Sequence, residues 1–327
     1  MRAVIAKSPG GPEALSLVEL PDPVPGAGEV VVRVAVAGVN FIDTYRRSGL
    51  YRVTFPHVVG TEGAGVVVAT GPDVVDVRVG QRVAWLASAG SYAELAVVKE
   101  KDALAVPDTV DDETAVALTM QGITAHYLTA STVELHPGDD VLLHAAAGGV
   151  GLLATQLATR RGARVIGTVG TPQKEELARA AGAADVIRYR ELGDLTAELP
   201  PLVRALTGGA GVHVAYDSVG KDTFDASLAS MRPRGMLVLF GASSGPVPPF
   251  DLQRLNAAGS VYVTRPSIGA YSRTREELAW RADEVLGLAA AGELSVRIGA
   301  RFPLDQAADA HRALEGRATT GKVLLVP

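Results

Sequence analysis

One short run, His144-Ala145-Ala146-Ala147-Gly148-Gly149-Val150-Gly151, narrows the fold more than any other part of the chain. It follows an apolar strand, Val141-Leu142-Leu143-His144, and opens a helix read over 150–161. That is the setting a dinucleotide-binding turn requires. Read against G-x-G-x-x-G, Ala146 stands in the first glycine place, while Gly148 and Gly151 fill the second and third. Gly148 lets the backbone approach a pyrophosphate, and Gly151 lets the helix sit close to the strand. The N–H groups at the helix start, from Gly149, Val150 and Gly151, then face the phosphates. A tight strand–helix turn without a ligand is the competing reading of the motif taken alone.

The surroundings favour binding. Strands are read over 164–169, 185–189, 212–216 and 236–240, each preceded by a helical stretch such as 172–181. Apolar strands alternating with helices predict a doubly wound parallel sheet covered on both faces. This block ends near Arg265. An NAD site places an acid about 20 residues beyond the glycines, at the end of the second strand, to hold the ribose 2′-hydroxyl. Here the chain reads Val169-Gly170-Thr171-Pro172-Gln173-Lys174, with no acid. Lys174 in a first helical turn opposes the helix dipole by roughly 0.3–1 kcal/mol. An anion nearby explains it, with Arg188 and Tyr189 as further contacts, and this points to NADPH. The alternative is that Glu175 and Glu176 neutralise Lys174.

The first third is different in kind. Short β-branched runs at 30–37, 66–69, 83–86 and 93–98 are punctuated by glycine and proline, as in a compact sheet or barrel. A helical pattern follows over 111–129. In the tail, Thr274-Arg275-Glu276-Glu277 is a capping box for a helix that Gly292 stops. A strand at 296–300, a helix at 305–314 and a strand at 323–326 complete it. The tail is too short to stand alone, so it is expected to complete the first domain. The resulting order is 1–124, then an inserted nucleotide module at 125–265, then 266–327.

Composition removes several classes of function. The chain has no cysteine, which excludes disulfides, a catalytic thiol and thiolate metal sites. The six histidines are scattered, so no metal site is expected. A net charge of −5 gives no reason to expect a nucleic-acid partner. No apolar run reaches the ~18 residues of a membrane span. The start reads as a first strand and not a signal peptide, so a cytoplasmic protein is expected.

The segment from Gly138 through the AAAGGVG turn to Gln156 resembles the signature of the zeta-crystallin-type quinone oxidoreductases, in the medium-chain dehydrogenase/reductase superfamily. Segments 39–51 (VNFIDTYRRSGLY), 60–65, 216–220, 240–245, 263–267 and 317–322 resemble the same family in the same order. Thr159 is a small departure from the signature. The resemblance implies an α/β chain: a GroES-like β-rich catalytic domain with an inserted Rossmann domain, the active site in the cleft between them. It also implies a homodimer through the Rossmann sheets. Zinc-dependent relatives carry Gly-His-Glu where this chain has Gly60-Thr61-Glu62, which implies the zinc-free branch. Glu62 is read as structural.

Carried over by that resemblance, Asn40, Tyr45 and Thr124 border nicotinamide and substrate, and Gly148 to Gly151 hold the pyrophosphate. Gly170, Thr171, Lys174 and Tyr189 surround the ribose 2′-phosphate. Ser218, Phe240, Gly241, Ser243, Arg265 and Arg317 line the rest of the cofactor site. Reduction of a quinone needs no metal Lewis acid, because it creates an aromatic ring. Asn40 and Tyr45 are candidates to hydrogen-bond the developing oxyanion, with Asp43 orienting them. Structural readings stay open: Asp43 as the cap of a helix starting near Thr44, and Tyr45 as a packing residue. Two rival functions also stay open, a reductase of activated C=C bonds in enals or enones, and a non-catalytic NADPH-binding protein.

Overall fold

The computed structural model describes residues 1–327. The chain divides into two compact units, the first made of 1–123 with 272–327 and the second of 124–271. The first unit is interrupted by the second, and its tail returns to it.

In the first unit, alternating β-branched residues build β1 (Arg2–Ala6), β2 (Leu15–Glu19), β3 (Glu29–Val39), β4 (His57–Val58), β5 (Glu62–Thr70), β6 (Arg82–Leu86), β7 (Leu95–Lys99) and β8 (Ala103–Ala105). The helix α1 (Phe41–Arg47) follows β3 directly. It starts earlier than the Thr44 start considered from the sequence, because Asn40 occupies the cap. The Asp43 carboxylate then reaches back to accept the Asn40 N–H at 3.0 Å.

The helical stretch predicted over 111–129 is not continuous. It runs as α2 (Asp112–Ala117), a π-turn (Leu118–Gly122), α3 (Ile123–Tyr127) and a second π-turn (Leu128–Thr132). Within the first π-turn, the Met120 N–H is drawn out of the helical ladder by the Glu62 carboxylate at 2.8 Å. A side chain inserted into the ladder is a recognised cause of such a break.

The second unit holds β9 (Asp140–Leu143), α4 (Gly149–Arg160), β10 (Arg164–Val169), α5 (Pro172–Ala180), β11 (Asp185–Arg188), α6 (Leu195–Leu206), β12 (Val212–Asp217), α7 (Phe224–Ala229), β13 (Met231–Leu239), α8 (Gln253–Ala257) and β14 (Tyr262–Thr264). All neighbours in its sheet are parallel, in the order β11-β10-β9-β12-β13-β14. That is the doubly wound order 3-2-1-4-5-6, whose direction of growth reverses beside β9. The sixth strand was not foreseen. It is three residues long and exposes Tyr262 and Val263, so it lacks the buried apolar run of β9, β10, β12 and β13.

The tail returns as α9 (Arg275–Ala290), β15 (Ile298–Pro303), α10 (Ala307–Glu315) and β16 (Lys322–Val326). The Thr274 hydroxyl accepts the Glu277 N–H at 3.2 Å, which caps α9. Gly292, at φ 72°, lies just beyond its end. β16 pairs antiparallel with β3, so head and tail share one seven-stranded sheet. A three-stranded sheet, β2-β1-β4, packs on the same core, in which Val4, Val30, Trp85, Tyr92 and Leu325 are buried together. No helix is long and apolar enough to cross a membrane.

Candidate functional site

In the second unit, the carboxyl ends of the strands carry most of the residues singled out from the sequence. This is the edge at which doubly wound sheets bind ligands. β9 ends at Leu143, and the chain turns through Ala145, which takes a left-handed φ of 53°. The turn closes with Gly148 N–H donating to the Ala145 carbonyl at 2.9 Å. Gly148 caps α4, leaving the N–H groups of Gly149, Val150 and Gly151 without helical acceptors.

Each glycine of this turn has its own reason. A Cβ on Gly151 would strike the Ala145 carbonyl and lie 2.8 Å from the Ala146 carbonyl carbon. Only glycine permits that approach of helix to strand. At Gly148 an added Cβ would meet nothing but the Ala145 oxygen, at 3.2 Å, so the outer surface there is bare. Ala146, standing in the usual first glycine place, is tolerated because residue 167 of β10 is glycine. A Cβ at Gly167 would come 2.8 Å from the Ala146 methyl. A bare glycine turn with unpaired helix N–H groups fits a pyrophosphate.

At the end of β10, Gly170 lies beneath the next strand's continuation. A Cβ there would sit 2.9 Å from the Tyr189 hydroxyl and 3.3 Å from Arg190 Nε. Thr171 caps α5 by accepting the Lys174 N–H at 3.3 Å. Of the acids nearby, Glu175 is engaged elsewhere. Glu175 binds Arg179 at 2.9 Å and Arg188 at 3.1 Å, and Arg188 also binds Glu191 at 2.8 Å. Arg188, expected to face an anion, is therefore tied to two carboxylates. Arg190 makes no ion pair and stands beside Gly170, and sequence reasoning missed it. The Arg188-Tyr189-Arg190 run at the strand end was the available signal.

Two loops complete this edge. Asp217 ends β12, and its carboxylate accepts the N–H groups of Val219 (2.9 Å) and Gly220 (3.0 Å) and the Thr223 hydroxyl (2.8 Å). Ser218 lies at the start of that loop. Phe240, Gly241 and Ser243 form the facing one, with Ser243 N–H donating to the Ser218 carbonyl at 3.2 Å. A Cβ on Gly241 would collide with the Ser218 backbone, so the approach of the loops requires glycine. Arg265, just past β14, donates to the Leu239 carbonyl at 3.1 Å and the Gly241 carbonyl at 3.3 Å. Thr124 lies in α3 and is buried.

The first unit gathers a second constellation around Asn40. The Asn40 Nδ2 donates to Glu62 Oε1 at 2.6 Å, and its Oδ1 accepts from Lys322 Nζ at 3.0 Å. Lys322 also forms an ion pair with Glu62, and both side chains are fully buried. Neither Lys322 nor this pairing was visible in the sequence, since the partners are separated by 260 residues.

Asp43 accepts from Thr61 Oγ1 (2.9 Å) and the Tyr92 hydroxyl (3.1 Å) besides the Asn40 N–H. Burial pushes its carboxyl up to about 6, against those hydrogen bonds. On the other side of Tyr92, His311 Nε2 lies 3.1 Å from the hydroxyl, and its Nδ1 faces Arg47 at 2.9 Å. Burial, with the Arg47 charge beside it, pulls His311 down to about 3. Because Arg47 can only donate, His311 carries its proton on Nε2 and donates to Tyr92, which donates to Asp43. Tyr45, on α1, packs edge-on against Tyr51 with ring centroids 5.4 Å apart. Arg317 follows α10 at a left-handed φ of 55°. No group of three or more His, Asp or Glu residues is placed to hold a metal ion.

Comparison with known proteins accounts for both units. Residues 26–108 match the family described as alcohol dehydrogenase GroES-like domain, and 149–283 the family described as zinc-binding dehydrogenase. A quinone oxidoreductase of Pseudomonas aeruginosa is 46% identical over 97% of each chain. A 2-haloacrylate reductase of a Burkholderia species is 40% identical over 100% of this chain and 99% of its own. The Escherichia coli quinone oxidoreductase solved in complex with NADPH superposes with a TM-score of 0.97, at 42% identity and full coverage of both chains. With likeness running from end to end through a GroES-like unit and a Rossmann unit, the chain belongs to the quinone oxidoreductase family of medium-chain dehydrogenases/reductases.

Proposed function

We propose that this protein reduces quinones with NADPH and without a zinc ion. The observation that carries the cofactor choice is the end of β10. No carboxylate is available there for a ribose 2′-hydroxyl, Lys174 sits on the first turn of α5, and Arg190 stands unpaired beside Gly170. A 2′-phosphate fits that chemistry, and a bare 2′-hydroxyl does not. Gly148 to Gly151 hold the pyrophosphate, and Ser218, Phe240, Gly241, Ser243 and Arg265 line the continuation of the same edge. When bound, NADPH supplies a hydride from its nicotinamide ring. The acceptor class follows from the family.

The residues of the first unit position and exclude; they supply no Lewis acid. Both Glu62 oxygens are taken, by Lys322 and Asn40 on one side and the Met120 N–H on the other. Thr61 stands where the zinc-dependent relatives carry histidine and donates its hydroxyl to Asp43, and Glu62 beside it is not free to bind a metal. Asn40 is locked by Glu62 and Lys322, and Asp43 holds the start of α1, so both act as positioning residues. Tyr45, carried on that fixed helix, is the group assigned to hydrogen-bond the acceptor oxygen. Thr124 and Arg317 are assigned to the cofactor and substrate surroundings from the family resemblance.

The protein is further proposed to form a homodimer through the free edge of β14. Tyr262 is 60% exposed and Val263 38%, on a strand with an unpaired side. Such an edge is a template for pairing with a second copy.

A second reading, reduction of an activated C=C bond, is favoured by the likeness to the 2-haloacrylate reductase. NADPH oxidation with 1,4-benzoquinone, run beside NADH and beside an enone, separates the two. Turnover with the quinone and NADPH is expected, and Lys174→Ala is expected to raise the KM for NADPH at least about tenfold while leaving NADH little changed. Turnover with the enone alone would assign the second reading. Tight NADPH binding without any turnover would make the protein a non-catalytic binder.

A further inference from the structure

Beside α1 the first unit contains a cavity of about 250 Å³. Its walls include Arg46, Arg52, His57 and Asp43, with Val58 and Val59 as apolar lining. Neither arginine has an ion-pair partner, although acids outnumber bases in the chain as a whole, which carries a net charge of −5. The one carboxylate in the wall, Asp43, has its oxygens taken by Asn40, Thr61 and Tyr92. His57 adds a third unmatched group, for its Nδ1 is buried without any hydrogen-bond partner. Its ring is fixed edge-on against Phe55, with centroids 5.1 Å apart. Burial and the charge of Arg46 both hold His57 below its ordinary range, so the ring is neutral and one nitrogen keeps its N–H.

Two unpaired guanidinium groups around one cavity ask for an acceptor-only group, to which the orphaned His57 nitrogen donates in its Nδ1–H tautomer. We propose that this cavity binds the carboxylate of an acidic, single-ring acceptor. The guanidinium fork matches a carboxylate with paired N–H donors. Size agrees: an apolar cavity of roughly 150 Å³ takes benzene, so the present volume holds one ring with its carboxylate. Tyr45 and Arg46 are consecutive on α1, so one short helix carries both the residue assigned to the acceptor oxygen and a wall of the cavity. This assignment rests on the quinone-reductase reading, since it names which quinones that site prefers.

The test has a binding arm and a turnover arm. Calorimetric titration of the intact protein with benzoate, with benzamide as its neutral counterpart and with inorganic phosphate, reads binding independently of turnover. Benzoate is expected to bind at least about tenfold tighter than benzamide, and Arg52→Gln to remove most of that preference. Turnover of carboxy-1,4-benzoquinone against 1,4-benzoquinone should show a kcat/KM ratio that favours the acid and falls about tenfold in Arg46→Gln or Arg52→Gln. Equal binding of benzoate and benzamide overturns the proposal, as does an unchanged ratio in both variants. Binding of phosphate without benzoate would likewise overturn it, assigning the cavity to a free inorganic anion. Selective benzoate binding with no turnover of either quinone would instead sink the quinone reading and leave the anion site standing.

Discussion

The first unit closes over Asp43, Arg47, Glu62, Arg281 and Lys322, whereas the second buries one charged side chain, Asp217. The difference is also one of distance along the chain. Lys322 reaches Asn40 and Glu62 across 282 and 260 residues, and Arg47 reaches His311 across 264. Asp217 finds every side-chain and backbone donor within ten residues of itself. In the interrupted unit, buried charge joins head to tail and fixes one arrangement of β3, β5 and β16. In the inserted unit, a buried carboxylate shapes its own loop. A pairing between distant segments is costly to leave half made, since a lone buried charge has no water to turn to.

The largest effect expected from this contrast is at Lys322. Lys322→Met leaves Glu62 Oε1 and Asn40 Oδ1 without their cation at full burial, and should cost about 3–5 kcal/mol in urea unfolding. Glu62→Gln combined with Lys322→Met removes both charges and should recover part of that loss. A cost below about 1 kcal/mol for the single variant would mean that the pair does not hold the two chain segments together.

An intermediate effect comes from the two groups on either side of the Tyr92 hydroxyl, whose protonation responds to pH in opposite directions. Asp43 keeps its proton to about 6 in the fold, but from 3.8 upward the unfolded chain has lost it. Stability from this group therefore falls as pH rises through that window, by about 1.4 kcal/mol per pH unit. His311 refuses a proton down to about 3, while the unfolded chain accepts one below 6.5. Its contribution falls as pH drops, by a similar slope, so the two oppose each other between about 4 and 6. Asp43→Asn removes one slope and leaves the other. Between pH 6.5 and 4.5 the variant should lose stability relative to the native chain by about 1.4 kcal/mol per unit over the overlap. Parallel pH profiles for the two proteins would remove Asp43 from this account.

What the sequence made legible follows the same division. The turn at Gly148 and Gly151 is local, each glycine answering to a carbonyl a few residues away, so motif and spacing were enough to place it. Four of the longer parallel strands, β9, β10, β12 and β13, were legible for a similar reason, being largely buried apolar runs. The role of Glu62 was readable only in outline, as a structural carboxylate, because its cation arrives from the opposite end of the chain. The same carboxylate draws out the Met120 N–H, which is why an apparently continuous helix contains a π-turn. Arg188 and Arg190 differ by two positions on one strand end, and only packing decides that Glu175 and Glu191 claim the first. Arg46, Arg52 and His57 lie within twelve residues of one another, yet nothing in their spacing announces a shared cavity.

The smallest effect should come from the local network of the inserted unit. Ser227 Oγ donates to Asp217 Oδ2 at 2.8 Å and lies 2.9 Å from His144 Nε2. Its single proton goes to the carboxylate, so His144 donates from Nε2 and accepts the Thr168 hydroxyl at Nδ1, 2.9 Å away. Burial keeps His144 neutral by lowering its affinity for a second proton, against the opposing pull of Asp217. Ser227→Ala removes one donor to Asp217 and the acceptor for His144, but leaves the carboxylate bound by Val219, Gly220 and Thr223. The expected loss is about 1–2 kcal/mol, clearly below that of Lys322→Met, because no charge is stranded. A loss as large as the one at Lys322 would show that local hydroxyl networks in this fold weigh as much as the long-range ion pair. The contrast between the two units would then be one of sequence distance alone.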